Sequence, residues 1–472
     1  MFQTLKNAWK TQELKNKLLF TLLIVILYRL GSAIPVPWVS ADVMAGSLTS
    51  SFNYAVQLIA GDAFGKATLF ALSVSPYITS SIIIQLLTIA IPALERLAKD
   101  GEEGKKKINV ITRIVTMVLA FITSVGYAGL IVSQGMTTLT LTGKASLVWI
   151  NVFQSGHGLE FVVMVACYCA GAALVMWLAE KINEFGIGNG ISIILFANII
   201  ARLPATAVNL YNMIFNAVGD TANLIISIVW SLIIVLFMLT IVWLIVWFTD
   251  SERRIPVQYA KKVVGRKMYG GSSSNLPLKL NMAGVMPVIF ANSIVSIPGT
   301  LATIFPNAKW LTNLATNYFN YSKPLYVLLS VILLFAFAYF YILISFNPTE
   351  VANNIRNNGG AIPGIRPGKP TRDYIQKILN RVTLIGAVFL CVVSEVPKII
   401  VSIFETCRDF SVIFKDNAVL NAIVKFYTNG EASFLTVAFA GTSILIVVGV
   451  ILETVRELEA QLTMRNYKGF LD

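Results

Sequence analysis

Long uncharged apolar blocks alternate with polar connectors along nearly the whole chain, and the blocks number ten. They run over residues 18–34, 76–91, 110–132, 159–178, 191–210, 224–248, 284–304, 325–346, 384–404 and 434–452. A helix that crosses a bilayer needs about 20 mainly apolar residues, so the pattern predicts ten helical spans. One very large soluble core would not gather its charges into connectors. The second block is short. Before it lies a weakly apolar stretch, Gln57 to Ser73, broken by Gly61, Asp62, Gly65 and Lys66. Such a stretch is tolerated at membrane depth only inside protein or against a water-filled cavity. It predicts a re-entrant helix over about 57–73, with an external loop lying flat on the surface as the alternative.

The cations orient these spans. Arg96, Lys99, Lys105, Lys106, Lys107, Lys181, the run from Arg253 to Lys279 and the run from Arg356 to Arg381 fill one set of connectors. The opposite set is poor, with Lys144, Lys309, Lys323, Arg408, Lys415 and Lys425. Short cytoplasmic loops carry the excess of Lys and Arg, and the two sets alternate without a break if both termini are cytoplasmic. The reading is therefore an all-α polytopic membrane protein of two inverted five-helix halves. Its parts are an amphipathic basic helix (1–17), an N-terminal half (18–203), an external connector (204–222), a C-terminal half (223–455) and a cytoplasmic tail (456–472). The N-terminal helix lacks a small-residue cleavage site and is not a removed signal peptide. Two cytoplasmic loops, 249–281 and 347–380, are longer than a minimal connection. Both are basic and punctuated by Gly and Pro, which suits a docking platform for a large partner as well as a simple orientation signal.

Composition agrees. Of 472 residues, 56% are hydrophobic and 13% charged, and mean hydropathy is +0.72; a soluble domain carries about 25% charged residues. The net charge of +13 reads as topology, because no segment interleaves aromatics and cations as a single-strand binder does. Cys167 and Cys169 point to different helix faces, Cys391 and Cys407 stand apart, and His157 sits alone in a Gly-rich connector, so neither a metal nor another cofactor is expected.

Nucleotide and bond-cleaving motifs are missing. Gly143-Lys144 and Gly368-Lys369 lack the rest of a phosphate-binding loop, and no HExxH or GxSxG occurs, so no enzyme is expected. Coupled transporters place ionisable groups at mid-depth; here Arg29 and Glu395 stand as the exceptions. Polar Gln85, Asn198 and Asn292 suit interhelical hydrogen bonds. They are also where a rival, an inverted-repeat secondary transporter, would hold its solute.

The residues then carry a resemblance. The run from Leu72 through Ser75-Pro76-Tyr77 to Gln85-Leu86-Leu87 resembles the second span of the SecY family, the central pore subunit of the bacterial Sec protein translocase. So do Glu184–Ile194, Arg253–Lys261, Leu276–Pro287, Phe346-Asn347-Pro348, Pro363–Gly368 and Gly441-Thr442-Ser443. The likeness extends over nearly the whole chain. It implies a passive protein-conducting channel, an hourglass pore closed by an apolar ring and a plug, that passes secretory polypeptides and releases transmembrane segments sideways into lipid.

By motif, the ring would comprise Val74, Ile78, Ile191, Leu195, Ile289 and Ile446, with Val74 and Leu195 departing from isoleucine. The plug would be the short helix around Asp62 to Leu72, with Asp62, Ala63, Phe64, Gly65, Lys66, Ala67, Thr68, Leu69 and Phe70 its core. The lateral gate would part the second and third spans from the seventh and eighth, with Gln85 and Asn292 as polar residues across the seam. Arg254 and Lys261 would contact the ribosome and Arg366 the motor. The implied partners are the SecE and SecG subunits, the SecA motor, the ribosome, signal sequences and unfolded client chains, and anionic lipids, with a second copy left open. The implied location is the bacterial plasma membrane. The stretch Pro397–Ser433 is longer than the family pattern.

Overall fold

The computed structural model describes residues 2–39, 62–133, 157–202, 204, 207, 208, 211, 221–259, 262–264, 267–269, 273–304, 308–319, 323–413 and 431–468. Helices fall on all ten apolar blocks: α1 (Phe2–Lys10), α2 (Gln12–Gly31), α3 (Asp62–Gly65), α4 (Ser75–Ala90), α5 (Pro92–Lys99), α6 (Gly101–Ser133), α7 (Gly158–Phe185), α8 (Gly190–Ile200), α9 (Thr221–Asp250), α10 (Met286–Val295), α11 (Ile297–Ile304), α12 (Lys309–Asn317), α13 (Pro324–Ser345), α14 (Pro348–Asn357), α15 (Lys369–Ile413) and α16 (Glu431–Lys468). Among the described residues five helices are long and apolar enough to cross a bilayer alone, and six if α4 and α5, bent by 106°, count as one.

The breaks follow from local chemistry. Proline stands in the first turn of α4, α5, α10, α13 and α14, where its missing N–H costs nothing and its fixed φ starts the helix. Asn347 caps α14 by accepting from the Thr349 and Glu350 N–H groups at 3.1 and 3.4 Å. The run Gly188-Asn189-Gly190 turns the chain from α7 into α8. Gly188 takes φ +84°, and Asn189 Oδ1 accepts the Ile191 N–H at 3.0 Å. At Gly190 a Cβ would stand 1.9 Å from the Ala179 carbonyl oxygen, so only glycine lets the two helices approach this closely.

The two long basic loops are not merely projecting coil. Strands β1 (Glu252–Tyr259), β4 (Ser273–Lys279) and β5 (Gly360–Ala361) form one sheet in the order β4-β1-β5, while β2 (Lys262–Val264) pairs with β3 (Lys267–Tyr269). Gln258 aligns with Ala361 and Tyr259 with Gly360, so the two loops join. Ile255, Val257, Leu278, Ile355, Ile362, Ile375 and Leu379 make a small core beneath the sheet. These strands lie outside the apolar blocks and were not anticipated; Ile255 and Val257 do alternate inward between exposed Arg254, Pro256 and Gln258.

Both ends of the described chain lie on one face. Ala8, Leu14 and Leu458 pack with Ile187 of the α7–α8 turn. Lys17 Nζ donates to Gln461 Oε1 at 3.2 Å, and the Gly188 N–H donates to Glu457 Oε2 at 2.8 Å. Arg456 bonds to Asp250 at 2.9 Å at the end of α9, beside the sheet. Outward, Leu232, Leu236, Leu239, Trp243 and Trp247 make an exposed apolar stripe on α9, as a lipid-facing surface requires.

Candidate functional site: an apolar constriction beside a buried irregular segment

Five of the six residues assigned to the ring are buried. Val74, Ile78, Leu195, Ile289 and Ile446 are each at most 4% exposed and belong to one apolar cluster, against which half-buried Ile191 packs. They come from the start of α4, from α8, from α10 and from α16. Helical spacing of four stacks Val74 over Ile78 and Ile191 over Leu195. Aliphatic side chains offer a threaded chain no hydrogen bonds, and a narrow apolar passage holds little water. Beside Leu445 and Gly449 opens a cavity of about 450 Å³, bounded on the sheet side by Pro277, Lys279 and Asn281 and rimmed by Glu453 and Arg456. Partial burial, then the nearby Arg456 guanidinium, hold the Lys279 ammonium below its usual range.

Next to the ring runs the segment assigned to the plug. Its helix is only α3; turns follow to Val74, a shorter helix than the 57–73 expected, of which residues 57–61 lie outside the described residues. Ala63, Phe64, Ala67, Thr68, Phe70, Ala71 and Leu72 are buried, Gly65 and Leu69 half-buried, and Lys66 exposed. The segment is thus inside the protein and not flat on its surface. Phe64, Ala67, Ala71 and Leu72 pack with Tyr127 and Ile131 of α6 and with Met164 and Tyr168 of α7.

Irregular backbone at this depth must find protein partners, and it does. The Tyr127 hydroxyl donates to the Phe64 carbonyl, and Tyr168 to the Ala67 carbonyl at 3.2 Å. The Leu69 N–H donates to the Ile34 carbonyl at 2.9 Å, and Pro35 bridges to Thr68. Two glycines make room. A Cβ on Gly171 would stand 2.0 Å from the Leu69 carbonyl oxygen, and one on Gly31 would stand 2.0 Å from the Phe70 ring. That ring stacks on Tyr28 with centroids 5.6 Å apart.

Ala67 and Ser73 take positive φ, 49° and 48°, a conformation uncommon outside glycine. The second bend is held by a buried triad. Tyr28 donates to Asn198 Oδ1 at 2.8 Å, Asn198 Nδ2 donates to Ser73 Oγ at 3.0 Å, and the Tyr28 and Ser73 hydroxyls lie 3.0 Å apart. Arg29, an expected exception among the spans, donates to the Ala197 carbonyl.

The second and third spans both pack on the seventh: α4 on α10, and α6 on α11. The two amides named for the seam are engaged separately. Gln85 Nε2 donates to Ser81 Oγ of its own helix at 3.3 Å, and Asn292 Oδ1 accepts from Lys398 Nζ of α15 at 3.4 Å. With Asn198 held by Tyr28 and Ser73, the three amides have three different sets of partners, and a shared solute site is not assembled from them. Lys398 is also a correction. It falls inside the ninth block, as Arg113 and Arg202 fall inside the third and fifth, so Arg29 and Glu395 are not the only ionisable groups there. Motifs drew attention to the ring; Tyr28, Tyr127, Tyr168 and Lys398 were passed over because one polar atom in an apolar block hardly changes its hydropathy.

Of the residues that the resemblance assigns to docking, Arg254 is exposed on β1 and donates to Glu252 at 2.7 Å. Arg366 is exposed in the turn after β5, its carbonyl accepting from the Thr371 hydroxyl at 2.8 Å. Both stand on the same sheet-based unit. Lys261 lies outside the described residues, as does much of the stretch after Pro397.

Comparison with known proteins bears on the same residues. A family model described as SecY matches residues 68–455. The protein translocase subunit SecY of Streptomyces coelicolor is 39% identical over the full length of both chains. A solved structure concerned with the plug domain of SecY, its closed state and its membrane seal superposes with a TM-score of 0.61 at 16% identity, covering 94% of this chain and 92% of that one. Sec61 in a canine ribosome–channel complex superposes at 0.59 and 15%, with the same coverage. At those identities the structures speak for the fold, and the sequence matches for the family. This chain is a member of the SecY family of multi-pass membrane proteins.

Proposed function

We propose that this chain is the pore subunit of a passive protein-conducting channel in the bacterial plasma membrane. Unfolded polypeptides cross through it, and apolar segments leave it sideways into lipid. The observation that carries this reading is the group of six aliphatic ring residues, drawn from four helices, lying directly against a buried, irregular segment whose backbone is hydrogen-bonded by the protein around it. A seal of that kind can give way to a chain of any sequence, because the ring makes no directional bonds.

In this reading Val74, Ile78, Ile191, Leu195, Ile289 and Ile446 form the ring, and Asp62 to Phe70 with the turn to Leu72 form the plug. The seam between α4–α6 and α10–α13 is the lateral gate. The two inverted halves meet at the ring. Both termini and the sheet are cytoplasmic, supported by their shared face and by the cations gathered there. Arg254, Lys261 and Arg366 dock the ribosome and the SecA motor, which supply the driving force. SecE, SecG and anionic lipids surround the spans, and signal sequences enter at the gate.

Deleting residues 62–72 tests the seal. Conductance of reconstituted vesicles rises if the segment closes the pore; unchanged conductance would remove the plug from the account.

A further inference from the structure

Span seven is built from two short helices, α10 of 10 residues and α11 of 8, with a turn at Ser296. Pro298 follows the break and explains it: proline fits a helix start and not its interior. The Ser296 N–H still reaches the Asn292 carbonyl at 3.0 Å, but Pro298 has no N–H for the Ile294 carbonyl, so the ladder is weakened there and the position of the span depends more on what holds it from the side. One turn before the break stands Asn292, and its carbonyl oxygen accepts from Lys398 Nζ.

Lys398 does not stand alone. It and Glu395 are 1% and 2% exposed, one turn apart on α15, with Nζ and Oε1 2.8 Å apart. The other carboxylate oxygen accepts from the Ser330 hydroxyl of α13 at 2.8 Å, and Ser394 donates to Oε1 at 3.2 Å. The ammonium lies 5.7 Å from the centre of the Tyr326 ring, also on α13. Two opposite charges buried among helices thus tie α10, α13 and α15 together. Pro397 stands between them and takes the N–H away from the Val393 carbonyl, a second interruption at the same level. A buried charge is strongly drawn to polar partners, so Lys398 holds the Asn292 amide where an apolar residue would let it slide.

We propose that the Glu395–Lys398 pair is a latch for the gate. Through Asn292 it fastens the broken seventh span to the eighth and ninth, so that α10 and α11 move with them as one wall and part from α4 and α6 together. The proposal rests on the seam being the lateral gate. Without the latch the seventh span bends by itself and the seam opens more often. Lys398 and Glu395 are positioning residues: they touch no client, and act on where α10 stands.

The test uses the full chain, with its partner subunits, in lipid. The four native cysteines are changed to alanine, and spin labels are placed through Leu86→Cys on α4 and Leu301→Cys on α11, both exposed. The latched chain gives a narrow distance distribution. Asn292→Leu, which leaves the ion pair intact, and Glu395→Gln with Lys398→Met, which leaves no lone charge, each raise the ratio of wide to narrow separations about tenfold or more, as loss of a hydrogen bond to a charged group implies. Lys398→Arg keeps the narrow distribution. If the paired substitution prevents folding, Asn292→Leu decides. An unchanged distribution in a chain that still crosslinks a stalled client overturns the latch and leaves the channel standing. Absence of that crosslink in the unsubstituted chain instead strikes the functional reading beneath it.

Discussion

Phe70 shows how closely single residues fit here. Its ring lies between Tyr28 and the backbone of Gly31. Gly31→Ala puts a methyl group where the ring now sits, and the Tyr28 stack limits how far the ring can retreat. Overpacking of this kind costs about 1–3 kcal/mol, roughly a tenfold shift or more toward an unseated segment. The expected outcome is a higher resting ion leak from vesicles holding Gly31→Ala, with unchanged amounts of folded protein. A leak equal to that of the unsubstituted chain would mean that Phe70 does not hold the segment in place. The ring residues were legible only through their motifs, because aliphatic residues in a span are ordinarily packing. Tyr28, Asn198 and Ser73 were not legible as a triad. They are 45 and 125 residues apart in pairs, and nothing local marks a partner at that distance.

Among the elements, the spans were the most legible, since about 20 apolar residues leave little choice but a helix at membrane depth. The breaks were readable in principle from Pro92 and Pro298, but hydropathy averages over them, and span seven was taken as one piece. The buried irregular segment was expected from its polarity as a re-entrant helix, yet the helix was overestimated. Gly65 and the bend at Ala67 favour turns, and side chains of α6 and α7 supply bonds that a longer helix would have made internally. The sheet was missed for a different reason. Its strands come from two loops about 100 residues apart, and Pro256 and Pro277 within them argue against strands on propensity alone.

At the scale of the molecule, that sheet turns two connectors into one platform. Arg254 and Arg366 share it, so a partner bound there engages both halves of the surface at once. Arg366→Glu reverses a charge on an exposed turn and leaves the core beneath the sheet untouched. It is expected to lower motor-driven translocation several-fold more than it lowers insertion of membrane segments, measured side by side in vesicles. Equal losses would place Arg366 outside the motor's footprint. In the proposed channel, sheet, seam and plug all act on the passage through the apolar ring.

A photoreactive residue at position 78, with a secretory chain stalled midway, tests that passage most directly. The account predicts a crosslink from Ile78 to the stalled chain that vanishes when the chain's signal sequence is removed. Crosslinks found instead only on the outer stripe of α9, at Leu232 or Leu236, would contradict it.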